Sequence, residues 1–77
     1  MRVTIYFKDC ANKKSITIEN LTDIYAKAQS LQSRQKHYDE ENFFAFMPYP
    51  EESYSFKTTN GNISISGNEI LYVEFNQ

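Results

Sequence analysis

The chain has 77 residues, a formal net charge of −2 and a single cysteine. This length predicts one domain over residues 1–77 with a thin core, since so short a chain buries only about 60–65% of its unfolded surface. One cysteine excludes a disulfide framework and a multi-cysteine zinc site, and no apolar run approaches the roughly 18 residues of a membrane-spanning helix.

The first part of the chain predicts a β-hairpin. Residues 3–8 and residues 15–19 each alternate between apolar and polar side chains. Period-two alternation with β-branched and aromatic residues is typical of strands. The polar stretch 9–14 separates the two runs, so we expect it to form the turn between two antiparallel strands.

Residues 21–36 predict an amphipathic helix. Asn20 precedes this stretch as an N-cap. Arg34, Lys36 and His37 lie at its end, where positive charge complements the helix dipole. The apolar residues follow the spacing of three and four that is typical of one helix face: Leu21, Ile24, Tyr25, Ala28 and Leu31.

Four short strands are predicted in the remaining sequence. They cover residues 43–47, 54–58, 62–66 and 70–75, and Asn60-Gly61 is the strongest hairpin signal in the chain. The predicted order is β-β-α-β-β-β-β. It indicates an α+β fold, in which one helix packs on one face of a mostly antiparallel sheet of five to six strands.

A single helix covers only one face of this sheet, and the other face should be polar. Tyr6, Ile70 and Tyr72 nevertheless lie on the side predicted to be polar, and residues 43–47 are apolar on both sides. Two interpretations remain open. A strongly curved sheet or half-barrel encloses these side chains in a second small core, or an exposed aromatic patch is covered by another protein or a second copy.

Residues 38–54 combine acids with aromatic residues, and we call them the acidic–aromatic segment. They hold five acids, no Lys or Arg, and six of the twelve aromatic residues. Aromatic anchors within a polar rim are typical of protein interfaces. The predicted partner-binding residues are the anchors Phe44, Phe46, Tyr49 and Tyr54 and the acids Asp39, Glu40, Glu41, Glu51 and Glu52.

No pattern in the sequence indicates catalysis, a cofactor or a metal. Cys10 and His37 form the only thiol–imidazole combination, and nothing in the sequence brings them within the hydrogen-bond distance that nucleophilic catalysis needs. The acidic run 39–41 lacks the alternating oxygen ligands and the glycine of an EF-hand loop. We therefore expect neither an enzyme nor a cofactor or metal site.

Two other functions remain open alongside protein binding. A small nucleic-acid-binding module would use Lys13, Lys14, Lys27 and Arg34 to contact phosphates, although such domains are usually basic and this chain is acidic. A self-associating structural protein is the third alternative. The preferred partner is a protein with a basic surface, or a second copy of this chain.

Asn, Lys, Ile, Tyr and Phe make up 32 of the 77 residues. In size, acidity and this amino-acid composition, the chain resembles the small accessory proteins of phages and mobile elements. Anti-CRISPR inhibitors are one such group. The resemblance implies a protein that occludes a nucleic-acid-binding host defence protein. The alternating N-terminus is unlike a signal peptide, so we expect the protein in the cytoplasm of a bacterial host.

Overall fold

The described part of the chain forms seven strands in two antiparallel sheets. The computed structural model describes residues 1–8, 15–28 and 35–76. The strands are β1 (Arg2–Phe7), β2 (Ser15–Ile18), β3 (Leu21–Ala28), β4 (Gln35–Tyr38), β5 (Glu52–Thr58), β6 (Gly61–Ser66) and β7 (Ile70–Asn76). The first sheet has the order β2-β1-β7 and the second has the order β4-β3-β5-β6. The described residues also include two short 3-10 turns, Phe43–Ala45 and Gly67–Glu69.

One hydrophobic cluster joins the two sheets. Val3 and Ile5 of the first sheet and Ile24 and Phe56 of the second are fully enclosed in it. Burying each such side chain stabilises the fold by about 1.5–3 kcal/mol. The strands predicted at both ends of the chain and around Asn60-Gly61 are confirmed, and apolar and polar residues alternate with period two along most of their length.

The predicted helix over residues 21–36 is wrong, and with it the α+β fold class. The described part of this stretch forms β3 and the start of β4, which pair antiparallel. Residues 29–34 lie outside the described residues. The described chain is thus almost entirely β, and the core that the helix was expected to complete is instead formed between two sheets.

A β-bulge in β3 explains why a strand resembled a helix. The register between β3 and β5 shifts between Leu21 and Asp23, which leaves Thr22 as the extra residue. Leu21 and Ile24 are therefore both buried although they are three residues apart. A bulge interrupts the period of two, and a spacing of three is also the spacing of a helix face.

Asn20 is a corner residue and not the predicted N-cap. Its φ of 57° lies in the left-handed region, which Asn adopts more readily than most residues. The carbonyl oxygen of Asn20 accepts a hydrogen bond from the Thr59 N–H at 3.3 Å, and the Leu21 N–H donates to the Met1 carbonyl at 2.8 Å. These bonds hold the point at which the chain passes from the first sheet to the second.

The strand predicted at residues 43–47 is also absent. Phe43–Ala45 is a 3-10 turn, and residues 46–49 belong to neither sheet. Pro48 and Pro50 have no N–H to donate to a strand ladder. The turn sends Phe43 and Phe46 into the core, where the Phe43 ring stacks on the Phe75 ring with centroids 5.1 Å apart.

A second bulge reverses the predicted faces at the start of β7. Tyr6 pairs with Tyr72 and Phe7 pairs with Ile70, so Leu71 is the extra residue. Ile70, predicted on the polar side, is consequently buried, whereas the side chain of Leu71 is 55% exposed. The alternation is regular again from Tyr72 onward.

Gly67 allows the turn between β6 and β7 to pack against the acidic–aromatic segment. A Cβ atom at this position would overlap the carbonyl oxygen of Tyr49 and would lie 2.6 Å from the carbonyl oxygen of Glu52. Both obstacles are backbone atoms, which cannot move aside as a flexible side chain does. Glycine is therefore required here by close approach of two backbones.

We expect Gly67→Ala to lower the free energy of unfolding by about 1–3 kcal/mol, the usual cost of forcing an extra methyl group into a packed site. Urea denaturation measures the change. Glu69→Ala, in the same turn but on an exposed side chain, is the control and should stay within about 0.5 kcal/mol of the wild type. A Gly67→Ala variant as stable as the control would contradict the close approach.

Candidate interaction surface

The four predicted aromatic anchors divide into two buried and two exposed rings. Phe46 and Tyr54 belong to the hydrophobic core, and their rings meet edge to face with centroids 5.0 Å apart. Phe44 is 87% exposed and Tyr49 is 42% exposed. The chain thus encloses some of these rings in its own core and leaves others outside, so Phe46 and Tyr54 are core residues and cannot serve as surface anchors in this conformation.

The 3-10 turn determines which rings are exposed. Phe43 and Phe46, three residues apart, both point inward, and three residues make one turn of a 3-10 helix. Phe44 lies between them and points away from the core. Met47, which is 57% exposed, was not among the predicted anchors, although it is part of the same apolar run.

Asp39 has a structural role at the start of the segment. Its N–H donates to the Asn42 side-chain oxygen at 2.7 Å, and its own carboxylate accepts the Glu41 N–H at 3.0 Å. The Asn42 N–H donates to the Asp39 carbonyl at 3.0 Å. These three bonds close the turn that precedes the aromatic residues.

Glu52 is buried and belongs to the interior. One carboxylate oxygen accepts a hydrogen bond from Lys36 Nζ at 3.2 Å, and the other accepts one from the Tyr54 hydroxyl at 2.8 Å. The Tyr54 hydroxyl in turn accepts the Tyr49 N–H at 2.7 Å, and Lys36 Nζ lies 5.7 Å from the centre of the Tyr49 ring. This network fastens the exposed end of the segment to β4 and β5.

The same network raises two pKa values. Burial raises the pKa of the Tyr54 phenol well above its ordinary value, and the hydrogen bond to Glu52 adds to this effect. The hydrogen bond and the negative charge of Glu52 raise the pKa of Lys36. Both groups therefore hold their protons more tightly in the folded chain than in the unfolded one.

The other three predicted acids, Glu40, Glu41 and Glu51, lie on the surface. Among the described residues, the ion pairs are Arg2–Glu19, Lys36–Glu52 and His37–Asp23, so none of these three acids takes part in one. Glu40 and Glu41 also line a recess of about 390 Å³ together with Asp39, Leu21 and Thr22. The surface of the segment is thus negative and uncompensated by the described cations.

His37 is engaged with β3. Its Nε2 lies 2.7 Å from the Asp23 carboxylate, and its ring stacks on Tyr25 with centroids 4.7 Å apart. The hydrogen bond from His37 is the main reason why the pKa of Asp23 is lowered. Cys10, the other member of the thiol–imidazole combination considered above, lies outside the described residues.

Of the four cations predicted to contact nucleic acid, Lys27 is exposed on the outer face of the second sheet. Lys13, Lys14 and Arg34 lie outside the described residues. Within the ranges that the structure covers, no three His, Cys, Asp or Glu side chains come together to hold a metal ion. No helix in those ranges has the length and apolar character that crossing a bilayer requires.

Comparisons with known proteins assign no family to this chain. No protein-family model matches it, and neither a curated protein nor a solved structure does so. Its function must therefore be inferred from the geometry of the described residues.

We expect Tyr54→Phe to lower the free energy of unfolding at neutral pH by about 1–3 kcal/mol, because the buried Glu52 carboxylate and the Tyr49 N–H each lose a partner. Tyr72→Phe, which alters an exposed ring, is the matched control and should be close to neutral. Urea denaturation of both variants provides the comparison. Equal stabilities of the two variants would show that the Tyr54 hydroxyl does not hold the segment.

The raised pKa values also predict a loss of stability in alkali. A group whose folded pKa exceeds its unfolded pKa stabilises fully below the unfolded value, which is 10.0 for Tyr54 and 10.5 for Lys36. That contribution is lost as the pH rises through the folded value. Above about pH 10 the wild type should lose stability more steeply than Tyr54→Phe, and parallel slopes from pH 8 to 11 would contradict this assignment.

Proposed function

We propose that this protein is a non-enzymatic binding module that docks the acidic–aromatic segment on a partner protein with a basic, partly apolar surface. The observation that carries the proposal is the exposure of Phe44, Met47 and Tyr49, three large apolar side chains within six residues. Aromatic residues and methionine are enriched at protein interfaces. Clustered exposure of this kind is typical of interaction sites.

The segment is held in place before any partner arrives. Phe43 and Phe46 fix it in the core on either side of Phe44, and the Tyr49 N–H is bonded to the Tyr54 hydroxyl. Pro48 and Pro50 further restrict the backbone between these points. A surface held in this way loses little conformational entropy on binding.

The charge of the segment favours a basic partner. Glu40 and Glu41 line the recess beside the 3-10 turn, and Glu51 lies beyond Tyr49. Exposed carboxylates at the rim of an interface accelerate association with a positive surface and orient the approach. Lysine and arginine side chains of the partner would enter this negative region while its apolar residues cover Phe44 and Met47.

Docking of this kind would inhibit or modulate a partner that uses the same basic surface for nucleic acid. Sites that bind phosphates are lined with lysine and arginine, so a negative segment competes for them directly. This is the action that the resemblance to anti-CRISPR inhibitors implies. It would take place in the cytoplasm of a bacterial host, against a defence protein that binds DNA or RNA.

The apolar part of the proposal is tested with Phe44→Ala. Affinity capture from bacterial lysate with mass spectrometry identifies the partner, and surface plasmon resonance then measures the affinity. We expect an affinity loss of about thirtyfold, typical of an interface hot spot, with an unchanged melting temperature because Phe44 is outside the core. Leu71→Ala removes an equally apolar side chain from another surface and should bind as the wild type does. Equal affinities for Phe44→Ala and Leu71→Ala would overturn the proposal.

The electrostatic part is tested by replacing Glu40, Glu41 and Glu51 with Gln together. We expect the association rate to fall about tenfold at low salt and its salt dependence to flatten, while the dissociation rate changes little. Glu69→Gln, an exposed acid on the turn before β7, is the control. An unchanged association rate in the triple variant would contradict the proposed electrostatic role of these three carboxylates.

A further inference from the structure

β7 forms an open edge of the first sheet. The sheet order β2-β1-β7 places β1 on one side of β7 and no strand of the described residues on the other. Apart from the pairing with β1 and the bond from the Ile70 N–H to the Gly67 carbonyl of the preceding turn, no backbone hydrogen bond joins residues 70–76 to another described segment. The N–H and C=O groups along the outer side of this strand are therefore available to a further strand.

The edge of β7 lacks the features that usually prevent strand addition. β2 and β4 are edges with only four described residues each, and β4 carries Lys36 and His37. β7 has seven residues without Pro, Lys or Arg, and its only charge is Glu74. Its bulge is confined to Leu71, which leaves residues 72–76 in regular register. Short edges, lysines, prolines and bulges are the normal protection against edge pairing.

Exposed apolar side chains accompany the open backbone. Leu71 is 55% exposed and Tyr72 is 48% exposed. The Tyr72 ring stacks on Tyr6 at 4.4 Å between centroids, and the Tyr6 hydroxyl donates to Glu74 at 3.3 Å. β6, the remaining long edge of the described sheets, exposes one large apolar residue, Ile63, among small polar ones. Both the backbone and the side chains of β7 are therefore suited to a strand partner.

We propose that β7 pairs antiparallel with β7 of a second copy, about a two-fold axis at Val73, to give a continuous six-stranded sheet. In this register Val73 faces Val73 of the second copy, and Tyr72 faces Glu74. An axis at Glu74 would place two carboxylates directly opposite each other, which is destabilising. Side chains that face each other across antiparallel strands share one side of the sheet, so this register keeps both cores on the same side.

A second copy fits this edge because the strand is complementary to itself. Val73, which is half-buried in its own chain, meets the same residue of the second copy, and the exposed bulge residue Leu71 lies beside this paired stretch. Glu74, the single charged residue of each β7 strand, faces Tyr72 of the other copy. Isologous two-fold contacts of this kind are the commonest arrangement among homo-oligomers. The interface uses none of the exposed residues assigned to partner binding, so the two proposals can fail independently.

Sedimentation velocity of the wild type from about 1 to 500 µM tests the dimer, since an interface of one strand pair is expected to have a micromolar dissociation constant. We expect a monomer–dimer equilibrium in this range. Leu71→Lys should raise the dissociation constant at least about tenfold, because it places a charge on the edge. Met47→Lys, at a similarly exposed apolar residue of the acidic–aromatic segment, should leave it unchanged.

A charge exchange tests the register. Tyr72→Glu places a carboxylate opposite Glu74 of the second copy and should weaken the dimer about tenfold or more, whereas Tyr72→Arg should preserve or strengthen it. Thermal melts at low concentration confirm that each variant is folded. A wild type that remains monomeric throughout, or a dimer weakened by Met47→Lys and not by Leu71→Lys, would overturn the proposal. Equal effects of Tyr72→Glu and Tyr72→Arg would overturn the register.

Discussion

The buried carboxylate of Glu52 is the constraint on which the surface depends. A charge removed from water must be matched by partners inside the fold, and here they are Lys36 of β4 and Tyr54 of β5. β3 lies between these two strands, and its small Ala26 pairs with Lys36 on one side and with Tyr54 on the other. The Tyr54 hydroxyl also accepts the Tyr49 N–H. The hydroxyl that satisfies the buried Glu52 carboxylate therefore also holds the exposed Tyr49 in place.

This arrangement connects the stability of the fold with the proposed function. The acidic–aromatic segment contributes Phe43 and Phe46 to the core and presents Phe44 and Met47 to solvent. A segment that only contributed side chains to the core would be an ordinary core element. A segment that only exposed side chains to solvent would be a mobile loop. Since neighbouring residues do both, a substitution in this segment has to be measured for folding and for binding separately.

The sequence predicts the strands whose alternation is uninterrupted, because period two is a local property that needs no knowledge of neighbours. It does not reveal the bulge at Thr22, since the extra residue is recognisable only when β5 is paired beside it. The same holds for the site. Composition identifies residues 38–54 as acidic and aromatic, but the inward direction of Phe46 follows from the 3-10 turn. The Lys36–Glu52 bond joins residues 16 positions apart in the chain, beyond any local pattern.

The register of the first sheet has a consequence for how this chain acquires its structure. β1 lies between β2 and β7, and Arg2 pairs with Asn76. β1 therefore cannot complete its pairing until β7, which lies far from it in the sequence, is placed beside it. Contacts so distant in sequence slow folding, and nascent chains with unpaired strand edges are prone to aggregate. A folding intermediate in which β7 has not yet paired therefore leaves one edge of β1 open.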